Sequence, residues 1–283
     1  MQQQVDAMAA KYDRTPHLII IQVGDDPASI VYVRNKMRAA ERCHIRAQHI
    51  QLPATTTEQE LCRLIDKHNA DQDVDAILVQ LPLPAHLNEQ KIICTILPEK
   101  DADGFHPYNI SHLLRQPAQP EHAATIYAPL PDYGCPVACT AKGVMALLAS
   151  TGVDLKGKHA VMVGESDVVG EPMAKLLTDR QCTVNIAPSI AHDLQTICRN
   201  ADILIVGADK PRLITRDCIH PGAILIDAGL NRLPDGTLTG DVDFDACKDV
   251  ASYITPVPGG VGVMIVAMLM HNTIECYNRR LNG

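Results

Sequence analysis

Short apolar runs alternate with amphipathic stretches along almost the whole chain. The runs at 18–23, 47–52, 76–80, 160–163, 183–186, 203–206 and 223–226 are short and read as strands, most of them apolar enough to be buried. Stretches between them, 57–69 and 172–178 among them, carry apolar residues at helical spacing. Strand and helix in alternation predict an α/β architecture with largely parallel sheets. Between Pro117 and Pro136 there are five prolines and few charges, which predicts a loop or domain connector. A linking helix at 140–150 follows, and a second α/β unit begins near Gly157.

The chemistry-bearing residues sit where these elements end. The run Ile77-Leu78-Val79 delivers the polar Gln80, and Leu81-Pro82-Leu83-Pro84 then stops the strand, placing one amide at the mouth of a sheet. Further on, Asp101 and Asp103 precede Gly104 and Pro107 in a turn-rich loop. A carboxylate held there is suited to a flat ring that donates hydrogen bonds. After Gly24, Asp26 reads as a helix N-cap and Pro27 as the first helical residue. Tyr32 and Lys36 then fall four residues apart on one helical face. The ring can stack on a planar substrate, while a partly desolvated lysine exchanges protons. Taken singly, each feature has a commoner reading: a strand end, a solvated acidic loop, an exposed lysine.

Strand 160–163 runs into Gly164, a polar turn, then Gly170 and Pro172 opening a helix. A strand, a glycine turn and a helix N-terminus form an anion site suited to a dinucleotide pyrophosphate, although the spacing is GxSxxxGxP rather than GxGxxG. Later strands ending in Gly207 and Gly229 belong to the same sheet. The loop ITPVPGGVG, 254–262, brings backbone close to a ligand or simply folds tightly.

Composition narrows the classes. At 283 residues the chain builds one large or two ordinary domains, and a net charge of −8 without a basic patch argues against nucleic acid as the main partner. No apolar run reaches membrane-spanning length and 1–13 lacks the apolar core of a signal peptide. Ten scattered cysteines without a CxxC pair read as reduced cytoplasmic thiols, and no metal is expected.

Together the segments VGDDPASIVYVRNK, ILVQLPLP, PEKDADGFHPYN, GxSxxVGxP, GAILIDAGLNR, GDVDF and ITPVPGGVG, in this order, resemble the bifunctional methylenetetrahydrofolate dehydrogenase/methenyltetrahydrofolate cyclohydrolase family. The resemblance implies a folate-binding catalytic domain, 1–138 plus 256–283, and a Rossmann-like nucleotide-binding domain, 139–255, with the substrate cleft between them. It implies Lys36 as the proton-handling residue, Gln80 as its hydrogen-bonding partner and Asp103 as the acceptor for the pterin. Tyr32, Ser29, Pro258, Gly259 and Gly260 would bind substrate. Gly164, Ser166, Val169, Gly170, Pro172, Ser189, Gly207 and Gly229 would bind the cofactor. It further implies oxidation of 5,10-methylenetetrahydrofolate with a nicotinamide cofactor, hydrolysis to 10-formyltetrahydrofolate, and a homodimer through the nucleotide domain.

The chain departs from the family pattern in places. Ala138 and Ala141 replace prolines, and Val263 and Ile265 stand for Pro and Thr on the folate side. The start is short of much of the family's N-terminal strand and helix. Glu165, Glu171 and Ile190 remove positive charge where an NADP 2′-phosphate wants cations. NADP is therefore expected by resemblance, with NAD open because of Glu165 and Ile190. A cyclohydrolase-only enzyme or a folate-binding relative without turnover is the alternative.

Overall fold

The computed structural model of the chain describes residues 1–118, 130–164 and 167–282, the side chains of 167–169 and 282 apart. Two compact units emerge. One comprises Met1–His112, Tyr133–Cys139 and Val266–Gly283, the other Leu113–Asp132 and Thr140–Ile265.

Up to the connector the elements are α1 (Gln2–Tyr12), β1 (His17–Val23), α2 (Pro27–Arg42), β2 (Arg46–Leu52), α3 (Glu58–Ala70), β3 (Ala76–Val79), α4 (Glu89–Thr95) and α5 (Pro107–Arg115). The strands form a parallel sheet in the order β2-β1-β3. Every residue of the central β1 is buried, which explains a continuous apolar run rather than an alternating one. Ile19 and Ile21 of β1, with Ile77 and Val79 of β3, pack against Leu61 and Ile65 of α3. Each such side chain contributes about 1.5–3 kcal/mol by leaving water. A capping box, Thr57 with Glu60, starts α3. Asp26 starts α2 by accepting from the Ser29 N–H at 2.7 Å, with Pro27 at the first helical position. At the opposite end of the sheet from Gln80, the fully buried Asp75 is held by Arg14 and Arg280, each at 2.9 Å.

Residues 117–118 and 130–136 form neither helix nor strand, as their prolines predict, while 119–129 lie outside the described residues. Then come α6 (Cys139–Ser150), β4 (His159–Val163), α7 (Asp167–Asp179), β5 (Thr183–Ala187), α8 (Leu194–Arg199), β6 (Ile203–Val206), β7 (Ile224–Asp227), β8 (Asn231–Arg232), β9 (Leu238–Thr239), α9 (Phe244–Cys247), β10 (Tyr253–Ile254) and α10 (Val261–Asn282). Five of the strands make a parallel sheet in the order β10-β7-β6-β4-β5, and β8 with β9 forms a small antiparallel hairpin. From β4 the chain moves outward to β5, then returns to the other side of β4 to lay down β6. That reversal is the topological switch point at which open α/β sheets bind ligands.

Two local expectations are corrected. The helix after β4 begins at Asp167, and Pro172 lies inside α7 rather than opening it. A proline in the second turn costs one hydrogen bond near an end that already lacks several, so the helix tolerates it there. At the start of the chain α1 forms where the sequence reading placed no element, with Val5 fully buried.

Candidate active site

In the first unit, three residues meet at the carboxyl end of the three-stranded sheet. The ladder extends one bond past β3, the Gln80 N–H donating to Ile21 O at 2.8 Å. This sets the amide at the sheet's mouth, and its Oε1 accepts from Lys36 Nζ at 2.9 Å. The other half of the amide, Nε2, donates to Leu81 O, which fixes which atom faces the lysine. Lys36 is 5% exposed and Gln80 8%. Desolvating an ammonium costs several kcal/mol, whereas one hydrogen bond to a charged group returns about 1.5–3 kcal/mol. Burial at such a deficit is characteristic of a site kept for chemistry.

Asp103 supplies the opposite charge. Its surface is only partly covered, yet protein atoms crowd the carboxyl and push its pKa up to about 6, against the pull of the Lys36 cation and with a small push from Asp101. The neighbouring Asp101 plays a different part. It is buried and accepts from the backbone N–H groups of Gly104 at 3.1 Å and His106 at 2.8 Å and from Asn109 Nδ2 at 3.1 Å. Asp101 thus builds the loop, while the Asp103 carboxyl lies within the field of the Lys36 cation. Tyr32 is half-buried one turn before Lys36, and burial raises its phenol above the ordinary value. Ser29, buried in the first turn of α2, uses its N–H in the Asp26 cap.

The loop carrying Asp103 is held by Gly104, which the sequence marks as a turn residue, and by Asn272, which sequence reasoning missed. Gly104 has φ +74°, and a Cβ there would stand 2.4 Å from the carbonyl carbon of Val137, so only glycine lets the two backbones touch. Asn272, fully buried on α10, donates to Ala102 O and Val137 O at 2.9 Å and lies 3.3 Å from Cys139 Sγ. Its signal was a lone amide on an otherwise apolar helical face. Asn272→Ala strips two buried carbonyls of their donor. It is expected to lower unfolding stability by about 2–4 kcal/mol and to raise KM for the substrate, because the Asp103 loop loosens. A urea midpoint and KM like those of the unsubstituted protein would sink this role.

In the second unit, Gly164 follows β4 and Gly207 follows β6, at the switch point. Gly164 has φ +147°, and a Cβ there would come within 2.2 Å of Gly207 O. The close passage brings the backbones that follow β4 and β6 together, which leaves room for a pyrophosphate at this end of the sheet. Gly170 and Pro172 lie within α7. Ser166 and Glu165 fall outside the described residues, as does the Val169 side chain. Ser189 follows β5, where its Oγ accepts from Lys210 Nζ at 2.8 Å. The Gly229 N–H donates to the Asp227 carboxylate at 3.0 Å. Asp227 is buried, which pushes its pKa up to about 6 although the N–H groups of Val242, Asp241 and Gly229 pull the other way. Pro258, Gly259 and Gly260 form the turn after β10 and belong to this unit by compactness. Thr255, at its start, accepts from the Asp227 N–H at 2.8 Å.

A catalytic α/β unit joined to a doubly wound sheet with its glycine turn at the switch point defines a two-domain, dinucleotide-dependent class of enzyme. The chain belongs to the tetrahydrofolate dehydrogenase/cyclohydrolase family: residues 1–103 match its catalytic domain and residues 138–281 its NAD(P)-binding domain. It is 49% identical over 261 residues to the bifunctional protein FolD of Geobacillus thermodenitrificans, covering 92% of this chain and 86% of that protein. Among solved structures it resembles the bifunctional FolD enzyme of Campylobacter jejuni, with TM-score 0.89 and 39% identity, covering 99% of this chain and 93% of that one. The Trypanosoma brucei dehydrogenase-cyclohydrolase, complexed with NADP cofactor and inhibitor, matches with TM-score 0.89 and 36% identity over 100% of this chain and 93% of its own.

Proposed function

We infer that this chain is a bifunctional enzyme. It oxidises 5,10-methylenetetrahydrofolate to 5,10-methenyltetrahydrofolate with a nicotinamide cofactor and hydrolyses the product to 10-formyltetrahydrofolate. The observation that carries the reading is the buried Lys36–Gln80 hydrogen bond with Asp103 beside it, in a chain that matches both domains of the family.

Asp103 accepts hydrogen bonds from the pterin and Tyr32 packs on its ring. The glycine turn of the second unit would hold the dinucleotide, whose nicotinamide would supply hydride acceptance. Gly164, Gly170, Gly207 and Gly229 line that side, with Ser189 at the far end. In the hydrolytic step water adds to the cationic methenyl carbon and loses one proton. The remaining hydroxyl loses its proton as the carbonyl forms and the bond from that carbon to N5 breaks, and N5 takes up one of the two protons, so that one proton is released overall. Lys36 handles the proton at Nζ, and Gln80 Oε1 keeps that atom aimed. An arginine could not substitute, because a guanidinium does not release its proton. The departures at Glu165, Ile190, Val263 and Ile265 motivate the cyclohydrolase-only and binding-only alternatives, and the similarity to bifunctional relatives favours neither.

By function we divide the chain into a folate-binding part, 1–138 plus 256–283, and a nucleotide-binding part, 139–255. Pro258, Gly259 and Gly260 then serve the folate. The ten scattered cysteines, none in a CxxC pair, support a reducing, cytoplasmic setting. The edge strand β5, with Ile186 54% exposed, supports a homodimer through the nucleotide domain.

Purified protein mixed with 5,10-methylenetetrahydrofolate is expected to reduce nucleotide, followed by absorbance with NADP, with NAD and with neither. Methenyltetrahydrofolate is expected to decay in a parallel assay. Decay without nucleotide reduction would remove the dehydrogenase half, and silence in both assays from folded protein would overturn the reading.

A further inference from the structure

Gln22 sits in the central strand of the catalytic unit, and strand alternation fixes the face its side chain takes. Ile21 and Val23 of β1, with Ile77 and Val79 of β3, pack against α3, so Gln22 and Gln80 both project from the opposite face. The register pairs Ile21 with Val79, which makes Gln22 the next neighbour of Gln80 in the same row. Parallel strands lie about 4.8 Å apart, so the two amides stand side by side at the carboxyl end of the sheet. Lys36 reaches that row from α2, because a helical side chain leans toward its helix N-terminus. Gln22 is 1% exposed, yet its amide is only half satisfied. Nε2 donates to Gly24 O at 3.2 Å, while no donor among the described residues reaches the buried Oε1. Turning the amide over would set Oε1 against the Gly24 carbonyl, so the nitrogen's bond fixes which atom is left over. We propose that Gln22 is a positioning residue for hydrolysis, its Oε1 holding a second proton of the Lys36 ammonium through one ordered water. The proposal rests on Lys36 as the proton-handling residue of the proposed enzyme.

The inventory of buried donors points to Lys36. The other buried residues of α2 are Ser29 and the apolar Val33, Ala39 and Ala40. On α10, Asn272 gives its amide hydrogens to Ala102 O and Val137 O, Thr273 donates to Leu269 O, and Tyr277 to Arg14 O. Lys36 has donors to spare: an ammonium carries three, and Gln80 takes one. A water between Nζ and Oε1 accepts from the first and donates to the second, and buried waters settle where polar groups converge. The carbonyls of Gln80 and Gln22 then bracket Nζ. A proton taken up there stays aimed along one line instead of swinging about the flexible lysine stem, and a buried carbonyl that would otherwise stay desolvated and unpaired gains its donor.

A double-mutant cycle with two readouts tests this. Methenyltetrahydrofolate hydrolysis against pH, and urea unfolding, are measured for the full chain, Gln22→Met, Gln22→Glu, Lys36→Met and the double variant of Gln22→Met with Lys36→Met. Gln22→Met keeps the unbranched stem and removes the acceptor. Its kcat is expected to fall about five- to twentyfold with KM within about twofold. Its pH profile should move to lower pH, because the ammonium is held less firmly. Gln22→Glu keeps an acceptor and adds a negative charge, so its profile should move the opposite way. In the Lys36→Met background, Gln22→Met should cost no further hydrolysis. The urea midpoint should even change sign: Gln22→Met lowers it when Lys36 is present and raises it in the Lys36→Met background, where it only removes an unpaired buried carbonyl. A residue acting by packing alone would shift the midpoint equally in both backgrounds and leave the pH profile still. That result overturns the proposal, as does full hydrolysis in Gln22→Met, or coupling to Ser29→Ala in place of Lys36→Met. Should Gln22→Met fail to fold, the direction of the Gln22→Glu profile decides. A full chain that folds but does not hydrolyse sinks the proposed activity, and the urea cycle still decides whether Gln22 acts on Lys36.

Discussion

Lys36→Met is expected to lower methenyltetrahydrofolate hydrolysis by about a hundred- to ten-thousandfold, the range for removing a positioned proton-transfer group. The chain should stay folded. Methionine matches the length of the buried lysine stem, and the change removes an ammonium that is 5% exposed. Gln80 Oε1 loses its donor, a cost of about 1–3 kcal/mol, which the relief of the desolvated charge offsets in part or wholly. Thermal unfolding therefore separates a catalytic loss from collapse of the site. Lys36→Arg makes a second comparison: it keeps the charge and a hydrogen bond to Gln80 but cannot give up a proton, so hydrolysis stays low. Hydrolysis at the full rate in either folded variant would exclude Lys36 from proton handling.

Much of this site was legible before any fold was built, because its parts lie next to strong local signals. An apolar run that ends in Gln80 and two prolines states where the strand stops and what it presents. Tyr32 and Lys36 share a face because the Asp26–Pro27 start fixes the phase of α2. The two acids of the Asp101–Asp103 loop were harder. Local sequence gives both the same prospects, and they part only in three dimensions. There Asp101 collects two donors from its own loop and one from Asn109 of α5, while Asp103 feels the lysine's charge. Contacts between residues far apart in sequence left no periodic signal at all. Lys210 meets Ser189 across 21 positions and Asn272 reaches Ala102 across 170. The missing positive charge on the cofactor side was thus a correct reading of the segment after β5 and an incomplete reading of the fold. Pro172 misled for a related reason: proline marks helix starts statistically, but nothing local shows that the helix had already begun.

The partial burial of Asp103 has a second consequence, which pH exposes. With a carboxyl near 6 in the ligand-free protein, kcat/KM for the folate substrate is expected to fall on the acid side of about pH 6. The ionised carboxylate offers charge-assisted acceptance to ring N–H groups, and the neutral acid does not. Asp103→Asn should remove that limb and lower kcat/KM by about a hundredfold at pH 7.5, since its amide presents a donor where the ring also donates. Stability should move the opposite way. The folded pKa lies above the unfolded value of 3.8, so the folded state holds its proton more tightly and ionising Asp103 disfavours folding. Wild type pays this cost progressively as pH rises from about 4 to 6 and in full above 6. Asp103→Asn should accordingly unfold at higher urea than wild type at pH 7.5, with the advantage vanishing below pH 4. Removing the Lys36 cation should raise the Asp103 carboxyl further and carry the acid loss of folate binding to higher pH. A residue present only for structure would lose stability on replacement. One that loses activity and gains stability across the same pH window is held in place for its ligand, and a flat pH profile with an unchanged urea midpoint would refute that assignment.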